Sequence, residues 1–358
     1  MSRTAIVILN YNGERLLEQF LPSVVAHASG AEVIVADNAS TDGSIRWVKQ
    51  HHPQVRVILL DQNYGFCGGY NRALRDVDAD YYLLLNSDIE VTPGWIDPLV
   101  KLLDTRADVA AVQPKILSLR QRDKFEHAGA GGGFIDSLGY PFCRGRIFDH
   151  IETDSGQYND HRPVFWSSGA CMLIRAKSFH QFGGFDEDYF AHMEEIDLCW
   201  KLHRDNQRVM YCGDSVIYHV GAGTLAYGSP RKVYLNFRNG LFMLFKHLSF
   251  GQLVVRMPVR AALDGLAAIR FLFAGEWSNV AAVVRAHVEF FYSLGRELKK
   301  RRTLHAAYPR YSREGIKKGS VVFDYYIRGK KTFVEGQSIV PHRGAATQVF
   351  PHIHDKRQ

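Results

Sequence analysis

The stretch LLLNSDIEV, Leu83 to Val91, decides the fold. Three leucines in a row read as the end of a strand buried on both faces, as in a parallel sheet covered by helices. The leucines run directly into Asn86-Ser87-Asp88, and then Ile89-Glu90-Val91 extends the pattern. Alone, Asn-Ser-Asp fits an Asx turn that stops a strand. It also fits an oxygen-donor site, because a carboxylate at a rigid strand end is a ligand for a divalent cation.

The same pattern repeats toward the N-terminus. AIVILNYN (5–12), AEVIVADNAS (31–40) and VRVILLDQN (55–63) are short β-branched runs. Segments with helical spacing separate them: ERLLEQFLPSVVAHA, then TDGSIRWVKQHH with Thr41 or Asp42 placed as a cap, then GFCGGYNRALRDV (65–77). DYYLLLNSDIEV is a fourth strand and ADVAAVQPKIL (107–117) a fifth. Strands alternating with helices imply an α/β fold with a mostly parallel sheet. Asn10, Asp37, Asn63 and Asp88 all fall at carboxyl ends of strands, where such sheets bind ligands. Toward the C-terminus, HAGAGGGFIDSLGYPFCRGRIFD reads as loop and hairpin, and FWSSGACMLIRAKSFHQFGGFDE as strand, turn and the start of a helix. EEIDLCWKLHRDN (194–206) is an amphipathic helix, and RVMYCGDSVIYHVG (208–221) a strand ending at His219.

Composition narrows the class. With 46% hydrophobic and 23% charged residues, the 358-residue chain is expected to bury a core. Five scattered cysteines, an odd number without a CxxC, argue against a disulfide framework or a zinc site and fit a reducing cytosol. The N-terminus shows no basic region and cleavage site, so no signal peptide is expected. Residues 228–310 hold 14 Lys and Arg against 4 Asp and Glu, while the whole chain is only +7, so the remainder is net acidic. No charge-free run there reaches the ~18–20 residues of a spanning helix. Regular Arg and Lys among apolar residues, with LKKRR at 298–302, suit interfacial helices facing anionic headgroups. An ordinary helical subdomain is the plainer alternative. The expected division is an α/β domain over 1–227 with its ligand site at the strand ends, a basic amphipathic helical segment over 228–310 and a loosely ordered polar tail over 311–358.

Seven segments occur in order: VILNYNG, VIVADNASTDGS, NYGFCGGYNRAL, LLLNSDIEV, SSGACMLIR, GGFDEDYFAHMEEIDLCWKL and VIYHVGAGT. Together, over residues 4–250, they resemble the inverting family 2 glycosyltransferases of the GT-A fold, especially rhamnosyltransferase-like members. The resemblance implies a Rossmann-like sheet with a C-terminal helical extension, a nucleotide-diphosphate sugar donor and Mg2+ or Mn2+. It places Asn10, Tyr11, Asn12 and Asp37 around the nucleotide, with Asp37 accepting from the base. Asn63, Gly65, Gly69 and Asn71 form a glycine-permissive turn near the diphosphate. Asn86-Ser87-Asp88 stands where the family has DxD, Asn replacing the first Asp, so Asp88 is the main carboxylate on the metal and His219 a further ligand. Glu195 stands for the catalytic base, with Glu194 as fallback and Asp197 bracing the helix. Trp166, Ser168 and Gly169 would line the acceptor side, although a core tryptophan fits Trp166 nearly as well.

The resulting expectation is a metal-dependent transfer, with dTDP-rhamnose as donor, to a glycan or lipid-linked acceptor in cell-surface polysaccharide assembly. It would occur in the cytoplasm at the inner face of the plasma membrane, without nucleic acid. A catalytically silent sugar- or nucleotide-binding protein and a nucleotidyltransferase are the rival readings.

Overall fold

The computed structural model describes residues 2–126, 129–221, 228–310, 314–333 and 339–340. Its first half builds β1 (Thr4–Asn10), α1 (Glu14–Ala26), β2 (Glu32–Asp37), α2 (Ser44–His51), β3 (Arg56–Leu59) and α3 (Gly65–Ala73). Then come β4 (Tyr81–Leu85), β5 (Ile89–Val91), α4 (Asp97–Thr105) and β6 (Val109–Ser118). Strands β3, β2, β1 and β4 lie side by side in parallel, with Asn10 opposite Asp37. Alternation along the strands divides the core: Leu83 and Leu85 face the layer of α1, α2 and α4, and Leu84 faces the opposite layer.

The fourth strand, expected to run through to Val91, breaks at Asn86-Ser87-Asp88. β4 ends at Leu85, and β5 pairs antiparallel with a distant strand, Ile89 opposite His219. The polar triplet is therefore a switch between two ladders. The backbone N–H of Asn86 donates to Ala170 (2.9 Å) and the carbonyl of Asp88 accepts from Val220 (3.1 Å).

A five-stranded side sheet follows in the glycine-rich stretch: β7 (Gly133–Asp136), β8 (Pro141–Cys143), β9 (Arg146–Ile147) and β10 (His150–Ile151), completed later by β14. The hairpin read from the sequence is the β7–β8 pair. The main sheet resumes with β11 (His161–Val164), β12 (Cys171–Arg175) and, after α5 (Ala176–Gln181) and α6 (Glu194–Arg204), β13 (Arg208–His219). Nine described strands join in it. β12 inserts antiparallel between β4 and β6, so the fifth strand does not lie beside the fourth. That insertion lays Gly169 and Ala170 next to the Asn-Ser-Asp turn.

The C-terminal helices are α7 (Pro230–His247), α8 (Phe250–Phe273), α9 (Trp277–Tyr292) and α10 (Leu294–Ala307). Ser249 caps α8 with a reciprocal capping box to Gln252. Among the described residues no helix is long and apolar enough to cross a membrane. Within the stretch expected as a polar tail, β14 (Ile316–Lys317) pairs with β7 and α11 (Val321–Tyr326) follows, while Phe333 is buried against Phe134. Residues 341–358 lie outside the described residues.

Candidate active site

The site forms where the parallel strands stop. Asn10 and Asp37 end adjacent strands in register, both buried. The Asn10 amide donates to Asp37 (3.0 Å), and Asp37 also accepts from the Ser40 backbone N–H (3.0 Å) and hydroxyl (2.5 Å). Asn12, with φ +50°, accepts from the Thr41 N–H. Helix α2 starts at Ser44 with Gly43 at the N-cap position and no side-chain cap, so neither Thr41 nor Asp42 caps it as expected; Asp42, just outside the helix, instead accepts from the Ser44 N–H and hydroxyl. Asp42 also accepts from the N–H of Glu14, whose carboxylate in turn accepts from the Gly43 N–H. The starts of α1 and α2 are thereby locked together. Tyr11 projects to solvent from the rim of this polar cup.

The glycine turn is held by a residue the sequence reading passed over. Asn38 donates to Asn63 and to the Gly65 carbonyl and accepts from the Tyr64 N–H, each at 3.0 Å. Gly65 adopts φ +68° with a phenyl ring of Phe190 where a Cβ would stand, and Gly69 lies directly on Leu9. These two glycines serve close packing of α3 in this structure. Asn71 also faces inward: its amide donates to the Phe185 carbonyl (2.8 Å) and accepts from the Phe185 N–H (2.9 Å), bracing the loop before α6.

Beyond β4, Ser87 lies beside Gly13 and Asn10, which connects the polar cup to Asp88. β5 pairs with the end of β13, so Asp88 and His219, 131 residues apart, meet: Asp88 Oδ1 is 3.1 Å from His219 Nε2. Glu126 lies 3.1 Å from the other ring nitrogen, Nδ1. Burial opposes protonation of His219, but the two carboxylates outweigh it and push the group up to about 10. Glu126 sits in an irregular segment, and no spacing in the sequence links it to His219. Among the described residues, no group of three His, Cys, Asp or Glu side chains is arranged to hold a metal by itself. Asp88 and His219 nonetheless fit two places in an oxygen–nitrogen donor set that substrate phosphate oxygens would complete. Glu126 supplies the carboxylate that orients a ligating imidazole.

The third part is the start of α6. Glu194 is buried and Glu195 half-buried. Among the described residues neither Glu194 Oε2 nor Glu195 Oε2 has a hydrogen-bond partner. Burial raises the Glu195 carboxyl to about 7, although backbone N–H groups at the helix start pull the other way. Burial and the Glu195 charge push Glu194 up further. Both flank Gly169, the neighbour of Ala170 that receives the Asn86 N–H. Asp197 is different: it accepts from Tyr189 (3.1 Å) and His247 (2.9 Å) and pairs with Lys246 (3.0 Å). Burial works against its charge, yet Lys201 and Lys246 hold it well below the usual carboxylate range.

The entry to α6 is strained. Phe190, His192 and Met193 all have left-handed φ values of 64–72° without being glycine, a conformation costing about 1–3 kcal/mol each. Asn239 of α7 holds this loop by donating to the carbonyls of Tyr189, Ala191 and His192. Helix α7 is thereby tied to the backbone that leads into Glu194 and Glu195.

Of the residues expected on the acceptor side, Trp166 is a core residue. Its indole is buried against Gly133 and its N–H donates to the Phe134 carbonyl (2.8 Å), so the ring presents no open face for a sugar. Ser168 is buried too, its N–H on Gln113 and its hydroxyl accepting from Ala170. Of the three residues named there, Gly169 alone borders the carboxylates.

Residues 5–183 match the family described as Glycosyl transferase family 2. The chain belongs to that family and is a glycosyltransferase. It is 28% identical over 285 residues, 74% of this chain and 90% of the relative, to the N-acetylglucosaminyl-diphospho-decaprenol L-rhamnosyltransferase of Mycobacterium tuberculosis. It is 25% identical to the low-salt glycan biosynthesis hexosyltransferase Agl10 of Haloferax volcanii, covering 78% of this chain and 88% of that one. The fold is the GT-A arrangement. The crystal structure of GalNAc-T7 with UDP, GalNAc and Mn2+ superposes with a TM-score of 0.54 at 13% identity, over 69% of this chain and 48% of that one.

Proposed function

We propose that this enzyme transfers a sugar, with inversion, from a nucleoside-diphosphate donor to a lipid-linked glycan in cell-surface polysaccharide assembly. The carrying observation is Glu195, a half-buried carboxylate with an unpartnered oxygen, raised to about 7, at a rigid helix start beside Gly169. An inverting displacement needs such a group to take the acceptor hydroxyl proton on the face opposite the departing diphosphate. Asp37 and Asn10 provide the floor for the nucleotide, and Asn86 and Ser87 border the sugar diphosphate. Asp88 and His219 would hold Mg2+ or Mn2+, which neutralises charge on the leaving diphosphate when bound. The names of the relatives support rhamnose as the sugar, with dTDP-rhamnose the first donor to test, and a polyprenyl-diphosphate-linked acceptor. Such an acceptor places the reaction at the cytoplasmic face of an anionic membrane.

The test is a panel of nucleotide sugars read by nucleoside-diphosphate release, with and without Mn2+. Release from one donor, increased by acceptor, supports the reading. Release of pyrophosphate instead would indicate nucleotidyl transfer, and binding without turnover a silent sugar-binding protein.

A further inference from the structure

Helix α8 is turned inside out. Its buried side chains are Arg260 and Asp264, 4% and 0% exposed. Asp264 accepts from Arg260 (2.8 Å) and Tyr140 (3.1 Å) and lies 3.2 Å from the His287 ring, while Arg260 stacks on Tyr140. On the opposite side Val255, Val259, Ala262, Leu266, Ile269 and Phe273 recur at steps of four and three and are all exposed, Phe273 at 87%. Helix α9 packs an ordinary apolar face inward through Ala282, Val283, Ala286 and Phe290, yet carries a second apolar stripe outward: Trp277, Ala281, Val284, Val288 and Phe291 are all exposed. The short turn between the helices and the His287–Asp264 contact make them antiparallel neighbours. A helix in water puts its apolar stripe inward and its charges outward. Here the charged pair is sequestered and two core-quality stripes face out, which marks a docking surface.

We propose that the outer face of the α8–α9 hairpin inserts into the interfacial layer of an anionic membrane. Charge selects the occupant. On α8 and α9 the exposed charges, all within the described residues, are Arg270 and Arg285, with Glu276 at the turn between them; on α10 they are Arg296, Lys299 and Arg302, of which Arg296 pairs with Asp188 (3.0 Å). Asp264 and Glu297 are buried. An excess of exposed cations on the helical unit that carries these apolar stripes complements anionic headgroups over acyl chains. A second copy of the chain would oppose these cations to themselves across a two-fold axis. The aromatic residues lie at the ends of the hairpin: Phe273 and Trp277 at its turn, Phe250 and Tyr292 at the other end. Of these, Trp and Tyr are the side chains enriched at membrane–water interfaces. The LKKRR run contributes less than its charge suggests. Lys300 bonds Asp186 and Asp188, and Arg301 donates to the carbonyls of Phe245 and Leu248. Those two cations are structural, and apolar insertion is the main attraction. The inference deepens the lipid-linked reading by naming the surface that meets the lipid.

Flotation of the full chain with acceptor-free vesicles tests it, using phosphatidylcholine alone and an equal mixture with phosphatidylglycerol. The protein should float with the mixture, persist through a rise in salt that screens surface charge, and show Trp277 quenched by brominated acyl chains. The variant I269S/F273S/W277S should lose binding by about tenfold or more, with its melting temperature unchanged. Donor hydrolysis in the absence of vesicles should also be unchanged. Failure of the full chain to float overturns the proposal. So does binding that survives in the variant but vanishes in salt, which is electrostatic adsorption alone. A non-floating protein whose dimer the variant splits assigns the face to a second copy. Because the vesicles carry no acceptor, a protein that floats but transfers no sugar overturns the enzymatic reading and leaves this one standing.

Discussion

The carboxylate at the strand ends and the carboxylates at the start of α6 differ in how they are satisfied. Asp37 accepts from Ser40 twice and from Asn10, all within the fold. Glu195 is equally anchored through its backbone but leaves an oxygen without a partner. A carboxylate whose bonds are all internal stabilises the framework and can lend only what remains to a ligand. One held unsatisfied in a half-buried place is a cost to the fold that a reacting proton can relieve. Removing the first should therefore lower stability and binding together, and removing the second should lower only turnover.

The largest expected effect is on Glu195. Glu195→Gln keeps the shape and removes the proton acceptor, so kcat should fall by about 10²–10⁴. Donor affinity, measured by calorimetry, should be nearly intact. Glu194→Gln is the internal control. Adjacent positions on a helix point about 100° apart, so only one can face an acceptor well. If Glu194→Gln is the inactive variant, the proton acceptor is one residue earlier. If both are active, the contrast between the clusters fails.

On the other side, Asp37→Ala should weaken nucleotide binding by about 1.5–3 kcal/mol, the scale of a charge-assisted hydrogen bond. It should also lower the melting temperature, because Ser40 and Asn10 lose their acceptor. Unchanged nucleotide affinity with a lower melting temperature would make Asp37 a turn residue only. Between the clusters, Glu126→Gln should weaken Mn2+ binding by about 10–100-fold, the usual consequence of loosening the partner of a ligating imidazole. Titrating Mn2+ against the protein with nucleoside diphosphate present measures this directly. An unchanged midpoint would separate Glu126 from the metal.

Much of this was legible in the sequence, and what escaped did so for a common reason. The four strands β1–β4, their helices and the strand-end positions of Asn10 and Asp37 follow from local periodicity. The break at Asn86-Ser87-Asp88 did not, because Ile89-Glu90-Val91 reads as extended whichever ladder it joins. The partner strand lies about 130 residues away. Glu126 and Asn38 were missed because their value comes from contacts made by the fold. Trp166 illustrates the converse: a tryptophan beside Ser-Ser-Gly suggests a sugar platform, but its N–H and ring are already taken by β7. In α8 the residue types were plain to read, yet which face is buried depended on Tyr140 and His287 receiving Asp264. The strained entry to α6 is invisible in FAHM, since nothing in those residue types asks for left-handed backbone.

The smallest effect concerns pH and separates chemistry from stability at one residue. Burial raises Glu195 from an ordinary 4.5 to about 7, so the folded state holds this proton more tightly than the unfolded chain. Its contribution to stability is complete below about pH 4.5 and is lost as pH rises through about 7. Activity follows the opposite course, because the base works only once the proton has left: kcat/KM should climb through about pH 7 on its acidic side. Glu195→Gln has no proton to lose there. Relative to the native enzyme it should become more stable between pH 5 and pH 8, while its residual turnover loses the limb near 7. Parallel denaturant melts and rate profiles over that interval measure both. A native rate profile that is flat through 7, with no gap opening between the two melts, would mean that Glu195 stays ionised throughout, and the contrast with Asp37 would then rest on geometry alone.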